Sequence, residues 1–287
     1  MPVAFVVAAA LVVGHATRSV ASVGAPAAPR PPEIRPPVLA AATPVRAPSR
    51  VELEPVDVRP APSPLAGVSR AELDAYARTP PASLGSVCFG RPNRGRLSNA
   101  VELRSEPGLL RVVTNDHNSF GTAETLRTLR AALTEFRAAY PNAPELNVGD
   151  LSRARGGYLR PHRSHQLGVD ADLGYFYSRE GKWYAQARAD NLDRELTWAF
   201  VKALVAQGGV EYIFMDRSVQ ALLRDYAIRQ GEDPLWVMEL FESPSHKNSL
   251  IRHAHGHTTH FHVRFLDPSA QRVGRALEGR LRRPGRR

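Results

Sequence analysis

Half of the chain's 24 prolines lie between Pro26 and Pro64, and no aromatic residue occurs from Val6 to Ala75. Such a segment cannot bury enough apolar surface to offset the entropy lost on ordering it. Residues 26–67 therefore read as a disordered, partly polyproline tether. What can fold is confined to residues 68–268 of the 287, which is ample for a single packed core.

Ahead of the tether, Val3 to Gly14 form an apolar run of 12 residues. That is too short to span a bilayer with ease and right for the hydrophobic part of a signal peptide. Small residues at Ser19-Val20-Ala21 and Val23-Gly24-Ala25 each fit a cleavage site. Residues 1–25 thus read as a signal-like segment, and the protein as exported to the periplasm. No Lys or Arg precedes the run, which leaves open a start further upstream or an uncleaved anchor. Cys88 is the only cysteine, so an intrachain disulfide and a cysteine-rich structural zinc site are both excluded.

The net charge of +10 is uneven, because residues 269–287 carry seven arginines against one acid, Glu278. This end reads as a basic disordered tail, a solvated arm able to touch an anionic polymer or a membrane surface. No zinc-finger spacing or RNA-binding signature accompanies it, which argues against specific nucleic-acid recognition.

Between these ends, Ser86–Phe89, Leu109–Val113 and Leu146–Asp150 read as short strands. Leu126, Leu129, Leu133, Phe136 and Tyr140 recur at spacings of three and four and predict a helix with one apolar stripe. Val169–Phe176 is strand-like, with Asp170 and Asp172 on one face. Helices are expected over Asp193–Ala206 and Ser218–Arg229, with a strand at Val210–Met215 between them. Helices and strands mix without regular βαβ alternation, so the expected class is α+β, with a largely antiparallel sheet flanked by helices.

Chemistry concentrates in two places. Six of the ten histidines fall between His246 and His262. At the end of that stretch, Phe261, Val263 and Phe265 alternate with His260, His262 and Arg264. A period of two is a half-buried strand, here with two imidazoles on its polar face. The second cluster is Pro161-His162-Arg163-Ser164-His165-Gln-Leu-Gly168-Val-Asp170-Ala-Asp172. A catalytic zinc takes three His, Asp or Glu donors and keeps one position open. His165 and Asp172 lie seven residues apart with Gly168 to turn the chain between them, and His262 can supply a third ligand from the closing strand. His260 then stands beside the metal without binding it. A single strand histidine is more often a satisfied polar side chain than a ligand; two clusters together outweigh that reading. His246, His253, His255 and His117 sit in loops and are weaker candidates. Asp170 reads equally as an acceptor for a ligand histidine or as a solvated carboxylate.

The pattern Gly156-Gly157-x4-His162-x-Ser164-His165-x2-Gly168-x-Asp170-x-Asp172, followed by His257-x2-His260-x-His262-Val-Arg, resembles the penicillin-insensitive murein endopeptidases. These belong to a wider zinc-peptidase group with the lysostaphin-type enzymes, the D-Ala-D-Ala peptidases and the hedgehog signalling domain. The resemblance implies a hedgehog/D-Ala-D-Ala-peptidase-like fold and hydrolysis of D-amino-acid cross-links in peptidoglycan. It implies Zn2+ held by His165, Asp172 and His262, with His260 as the catalytic histidine. His257 matches a further active-site histidine, and His162 a histidine beside the site where a second, weaker metal could sit. The resemblance spans about residues 85–267 and is weak between the two motifs. A D-Ala-D-Ala dipeptidase or carboxypeptidase, and a non-catalytic zinc-containing cell-wall binding module, remain as alternatives.

Overall fold

The computed structural model describes residues 63–179, 183–243 and 246–281. The signal-like segment, nearly all of the tether and residues 282–287 of the expected tail lie outside the described residues. The elements run α1 (Arg70–Arg78), a 3-10 turn at Ala82–Leu84, β1 (Val87–Arg91), β2 (Arg94–Ser98), β3 (Val101–Glu102), β4 (Leu110–Val112) and β5 (Phe120–Gly121). They continue with α2 (Ala123–Ala139), β6 (Leu146–Val148), β7 (Asp170–Gly174), α3 (Arg194–Ala206) and β8 (Val210–Met215). The chain closes with α4 (Arg217–Arg229), α5 (Pro234–Leu240), β9 (Ile251–His253), β10 (His260–Phe265) and α6 (Pro268–Leu281).

The helix starts follow from local chemistry. Thr122, Asp193, Asp216 and Asp233 each accept a hydrogen bond from the first turn of the helix they precede. Each thereby satisfies a backbone donor that would otherwise have no partner. Ser69 and Glu72 form a reciprocal capping box at α1.

A six-stranded sheet in the order β4-β6-β7-β10-β8-β9 carries the site. β10 pairs antiparallel with β7 on one side and β8 on the other, whereas β4–β6 and β8–β9 are parallel. The sheet is therefore mixed, with three of its five pairings antiparallel; short β4 and β9 reach their neighbours after long excursions that permit a parallel approach. The α+β class holds.

One sheet face packs on α2 and α3. Phe136 of α2 meets Phe200 of α3 at 5.5 Å and Phe176 at 5.1 Å between ring centroids, and Phe200 reaches Phe261 of β10 at 6.2 Å. Burying each such ring contributes about 1.5–3 kcal/mol. Phe261, Val263 and Phe265 are all fully buried in this core. His260 and His262, on the other face, are also buried. Loop 149–168 and residues 254–257 border that face.

The expected disordered tail is corrected over residues 269–281. Val273 and Leu277 of α6 pack with Ala77, Val87 and Phe89, joined by Leu65, Leu73 and Tyr76. Gly274 lets the helix backbone lie directly on β1, since a methyl group there would run into the Cys88 carbonyl oxygen. The folded unit thus extends past residue 268. Its apolar stripe, Ala270-Val273-Leu277, has helical spacing that the surrounding arginines mask.

Candidate metal centre and cleft

Register brings the two clusters together. On the β7–β10 ladder His262 lies opposite Asp172, Arg264 opposite Asp170 and His260 opposite Gly174. His165 reaches the same point from the loop before β7, held in the left-handed backbone region at φ 65°. Such a conformation costs a non-glycine residue of order 1–3 kcal/mol and persists only where its surroundings enforce it. Here the enforcement is visible: the His165 backbone N–H donates to Asp170 Oδ2 at 3.1 Å, and its Nδ1–H to the Leu151 carbonyl at 2.5 Å. Gly156 allows the loop to close, because a side chain there would collide with the carbonyl of Gln166. Gly168 turns the chain at φ 70°, as its spacing predicts.

Three donor atoms then face one another. His165 Nε2 and His262 Nδ1 are 3.1 Å apart, His262 Nδ1 and Asp172 Oδ1 3.2 Å, and His165 Nε2 and Asp172 Oδ1 3.4 Å. Ligands about 2.0–2.2 Å from a tetrahedral ion are separated by roughly 3.3 Å, so this triangle has the edges of one face of such a site. The protons point away from it. The His165 Nδ1–H is committed to Leu151, and the His262 Nε2–H donates to Asp170 Oδ1 at 2.8 Å. Two nitrogen lone pairs and a carboxylate oxygen therefore converge, an arrangement that a cation relieves. Asp172 Oδ1 carries the point furthest: it is buried, has three imidazole nitrogens within 3.7 Å, and accepts no hydrogen bond.

The buried groups act strongly on one another. Burial alone would raise Asp172, but His165 and His262 hold its carboxyl well below the usual carboxylate range. Burial would likewise lower His262, yet its contacts with Asp170 and Asp172 raise it to about 9. Asp170 is the support beneath it, fully buried and accepting also from Arg264 Nε at 2.8 Å. It is no solvated carboxylate.

His162 stands on the outer side. Its Nδ1 is 3.6 Å from Asp172 Oδ2 and its Nε2 is 2.9 Å from Asp150 Oδ2. One donor atom each from His162, His165 and Asp172 lies within 4.8 Å of the others, so this group too could hold a metal ion. The two donor sets share His165 and Asp172; the set with His262 is the tighter and drier.

His260 Nε2 lies 3.7 Å from Asp172 Oδ1, while its Nδ1 is 3.0 Å from Thr259 Oγ1. Burial pushes His260 down to about 4 against the pull of Asp172, so the ring is neutral at pH 7. His257 is 5.0 Å from His260 and 6.1 Å from His262 between ring centroids. Burial lowers it too, and its Nδ1 is spent on the His255 carbonyl. These rings open into a cleft of about 840 Å³ lined also by Arg91, Arg163, Tyr184 and His255.

The remaining histidines divide. His255 lines the cleft. His253 lies in β9 and accepts from the Arg217 backbone N–H. His246 bridges to Ser243, and the His117 backbone closes a turn on Asn115. Sequence reasoning missed Asp150, the Leu151 carbonyl and Tyr184. The Tyr184 ring stacks on His260 at 5.2 Å with a 16° tilt. None of these sits in a periodic element; only the position of Asp150 just after a strand hinted at it.

Comparison with known proteins bears on the same residues. The family model described as penicillin-insensitive murein endopeptidase matches residues 88–276, a range that includes all six candidate residues and most of α6. A "Penicillin-insensitive murein endopeptidase" of Haemophilus influenzae (strain ATCC 51907 / DSM 11121 / KW20 / Rd) is 29% identical over 150 residues. That alignment covers 46% of this chain and 47% of the relative, so about half the length of each is matched. With two thirds of its length matched to the family model and the motif residues meeting at one point, the chain belongs to the penicillin-insensitive murein endopeptidase family.

Proposed function

We propose that the chain is a zinc-dependent endopeptidase that hydrolyses D-amino-acid peptide cross-links of peptidoglycan in the periplasm, on a hedgehog/D-Ala-D-Ala-peptidase-like fold. The observation that carries the metal is the buried Asp172 Oδ1, which has no hydrogen bond among three ring nitrogens. In this reading His165, Asp172 and His262 hold zinc, and His162 with Asp150 offers a second, weaker place. When bound, the metal polarises the scissile carbonyl and supplies a hydrolytic nucleophile at neutral pH.

The other residues have separable tasks. Neutral His260 takes a proton at Nε2 during attack and returns it to the departing amine, its ring oriented by Thr259 and screened from water by Tyr184. His257, with its Nδ1 occupied, presents Nε2 to the charge that develops on the carbonyl oxygen. Asp170 and Leu151 fix the two ligand rings and their tautomers.

Digestion of purified cross-linked muropeptide dimers, alongside metal analysis, tests the reading. Near one zinc per chain and conversion of dimers to monomers are expected. Release of free D-alanine alone would assign a dipeptidase or carboxypeptidase activity. Bound zinc with no cleavage would leave a cell-wall binding module.

A further inference from the structure

Residues 75–101 and 151–169 contain eight arginines and no lysine, aspartate or glutamate. Arg78, Arg91, Arg94 and Arg96 come from the first segment; Arg153, Arg155, Arg160 and Arg163 from the second. All eight are exposed. Among the described residues, none of their guanidinium groups has an ion pair or a hydrogen bond, although that of Arg96 rests 4.2 Å over the Phe89 ring. By contrast Arg104, Arg111, Arg127, Arg130 and Arg264 are each held by a carboxylate.

The two segments form one surface. The Leu97 backbone N–H donates to the Arg155 carbonyl at 3.0 Å. The Gln166 side chain accepts from the Gly95 N–H at 3.2 Å and donates to the Asn93 carbonyl at 3.0 Å. One depression on this surface is lined by Arg78, Arg96 and Arg155, while Arg91 and Arg163 line the metal cleft itself. Glu278 borders the groove beside Arg94 and Arg96 without pairing to either.

We infer that this arginine face is a docking surface for the anionic murein network, engaging free carboxylates of the stem peptides around the bond to be cut. The inference rests on the murein reading above and adds to it a second contact, outside the reacting centre. Unpaired guanidinium groups suit carboxylates because they bind them with two parallel hydrogen bonds. A depression lined by one sign of charge also raises the local concentration of an anionic polymer. Continuity decides among polyanions: the face runs into the cleft, so a chain whose cross-link enters the cleft lies across the arginines. A lipid surface or a nucleic acid would meet the same charges without any use for that path.

The test uses the zinc-loaded full chain and a triple variant, Arg78→Gln, Arg94→Gln and Arg155→Gln, all outside the cleft. Co-sedimentation with purified sacculi, co-sedimentation with phosphatidylglycerol vesicles, and turnover of a soluble cross-linked dimer are measured for both. An exposed ion pair is worth a factor of roughly 1.5 to 5, so removal of three should weaken sacculus binding about tenfold. Raised salt should weaken wild-type binding in the same way. Dimer turnover should stay within about twofold, and the three Arg→Lys replacements should restore only part of the binding, since lysine keeps the charge and loses the paired hydrogen bonds. Unchanged sacculus binding in the glutamine variant overturns the inference, as does a loss confined to the vesicles. A wild-type chain that leaves the dimer intact defeats the murein reading, and the inference with it, on a separate readout.

Discussion

Asp172 and His262 occupy opposing positions on neighbouring antiparallel strands, and Oδ1 of the first stands 3.2 Å from Nδ1 of the second. A cross-strand pair is set by register, and a slip of one residue in either strand would send its side chain to the other face and part the two. The candidate metal centre is therefore a property of the sheet, completed by His165 from the loop.

Replacing any one of His165, Asp172 and His262 by Ala should abolish stoichiometric zinc and lower turnover of a cross-linked dimer by more than about a hundredfold, since two ligands do not hold an open site. Metal analysis beside steady-state kinetics checks this. A variant that keeps one zinc per chain and near-normal turnover would remove that residue from the ligand set.

His260→Ala should keep its metal and lose rate. Acid–base assistance is worth roughly 10²–10⁴-fold, so kcat should fall by about that factor with little change in KM. His257→Ala should show the same pattern with a smaller loss. If His260→Ala loses zinc while His262→Ala retains it, the two roles are reversed.

Asp170→Asn should weaken zinc affinity by roughly tenfold to a hundredfold without removing a ligand, because it disturbs the partner that orients His262 and the His165 backbone. Competition against a chelator of known affinity measures the shift. An unchanged affinity would show that the ligand rings are fixed without it.

Ending the chain at Asp267 should destabilise the fold, because it uncovers Val87 and Phe89 and removes the burial of Val273 and Leu277. Each of those two side chains is worth about 1.5–3 kcal/mol. Gly274→Ala should cost about 1–3 kcal/mol through the clash with the Cys88 carbonyl. Thermal unfolding reads both. A chain ending at 267 that melts with wild-type cooperativity and Tm would mean that α6 is dispensable.

Much of this was legible from spacing. The alternation of Phe261, Val263 and Phe265 declares a strand because burial of one face selects every second residue, and the Leu126–Phe136 stripe declares α2 in the same way. His-x-His inherits its geometry from that strand. Asp150 and Tyr184 obey no period; loops deliver them, and their positions depend on contacts far away in sequence. α6 is masked for another reason: arginines on its outer face interleave with Ala270, Val273 and Leu277, which carry the helical spacing. Charge on a solvent face says little about whether the opposite face is packed.

Leu65, near the start of the described chain, and Leu277, near its end, share one apolar cluster with β1. The fold is thus nearly a closed loop, the condition under which circular permutation succeeds. Joining α6 to α1 through a short linker and opening the chain at exposed Gly231, between α4 and α5, would place His262 ahead of His165 in the new order. Nothing in the ladder between β7 and β10 depends on which strand is made first, so the same triangle of donor atoms should assemble from the reordered chain.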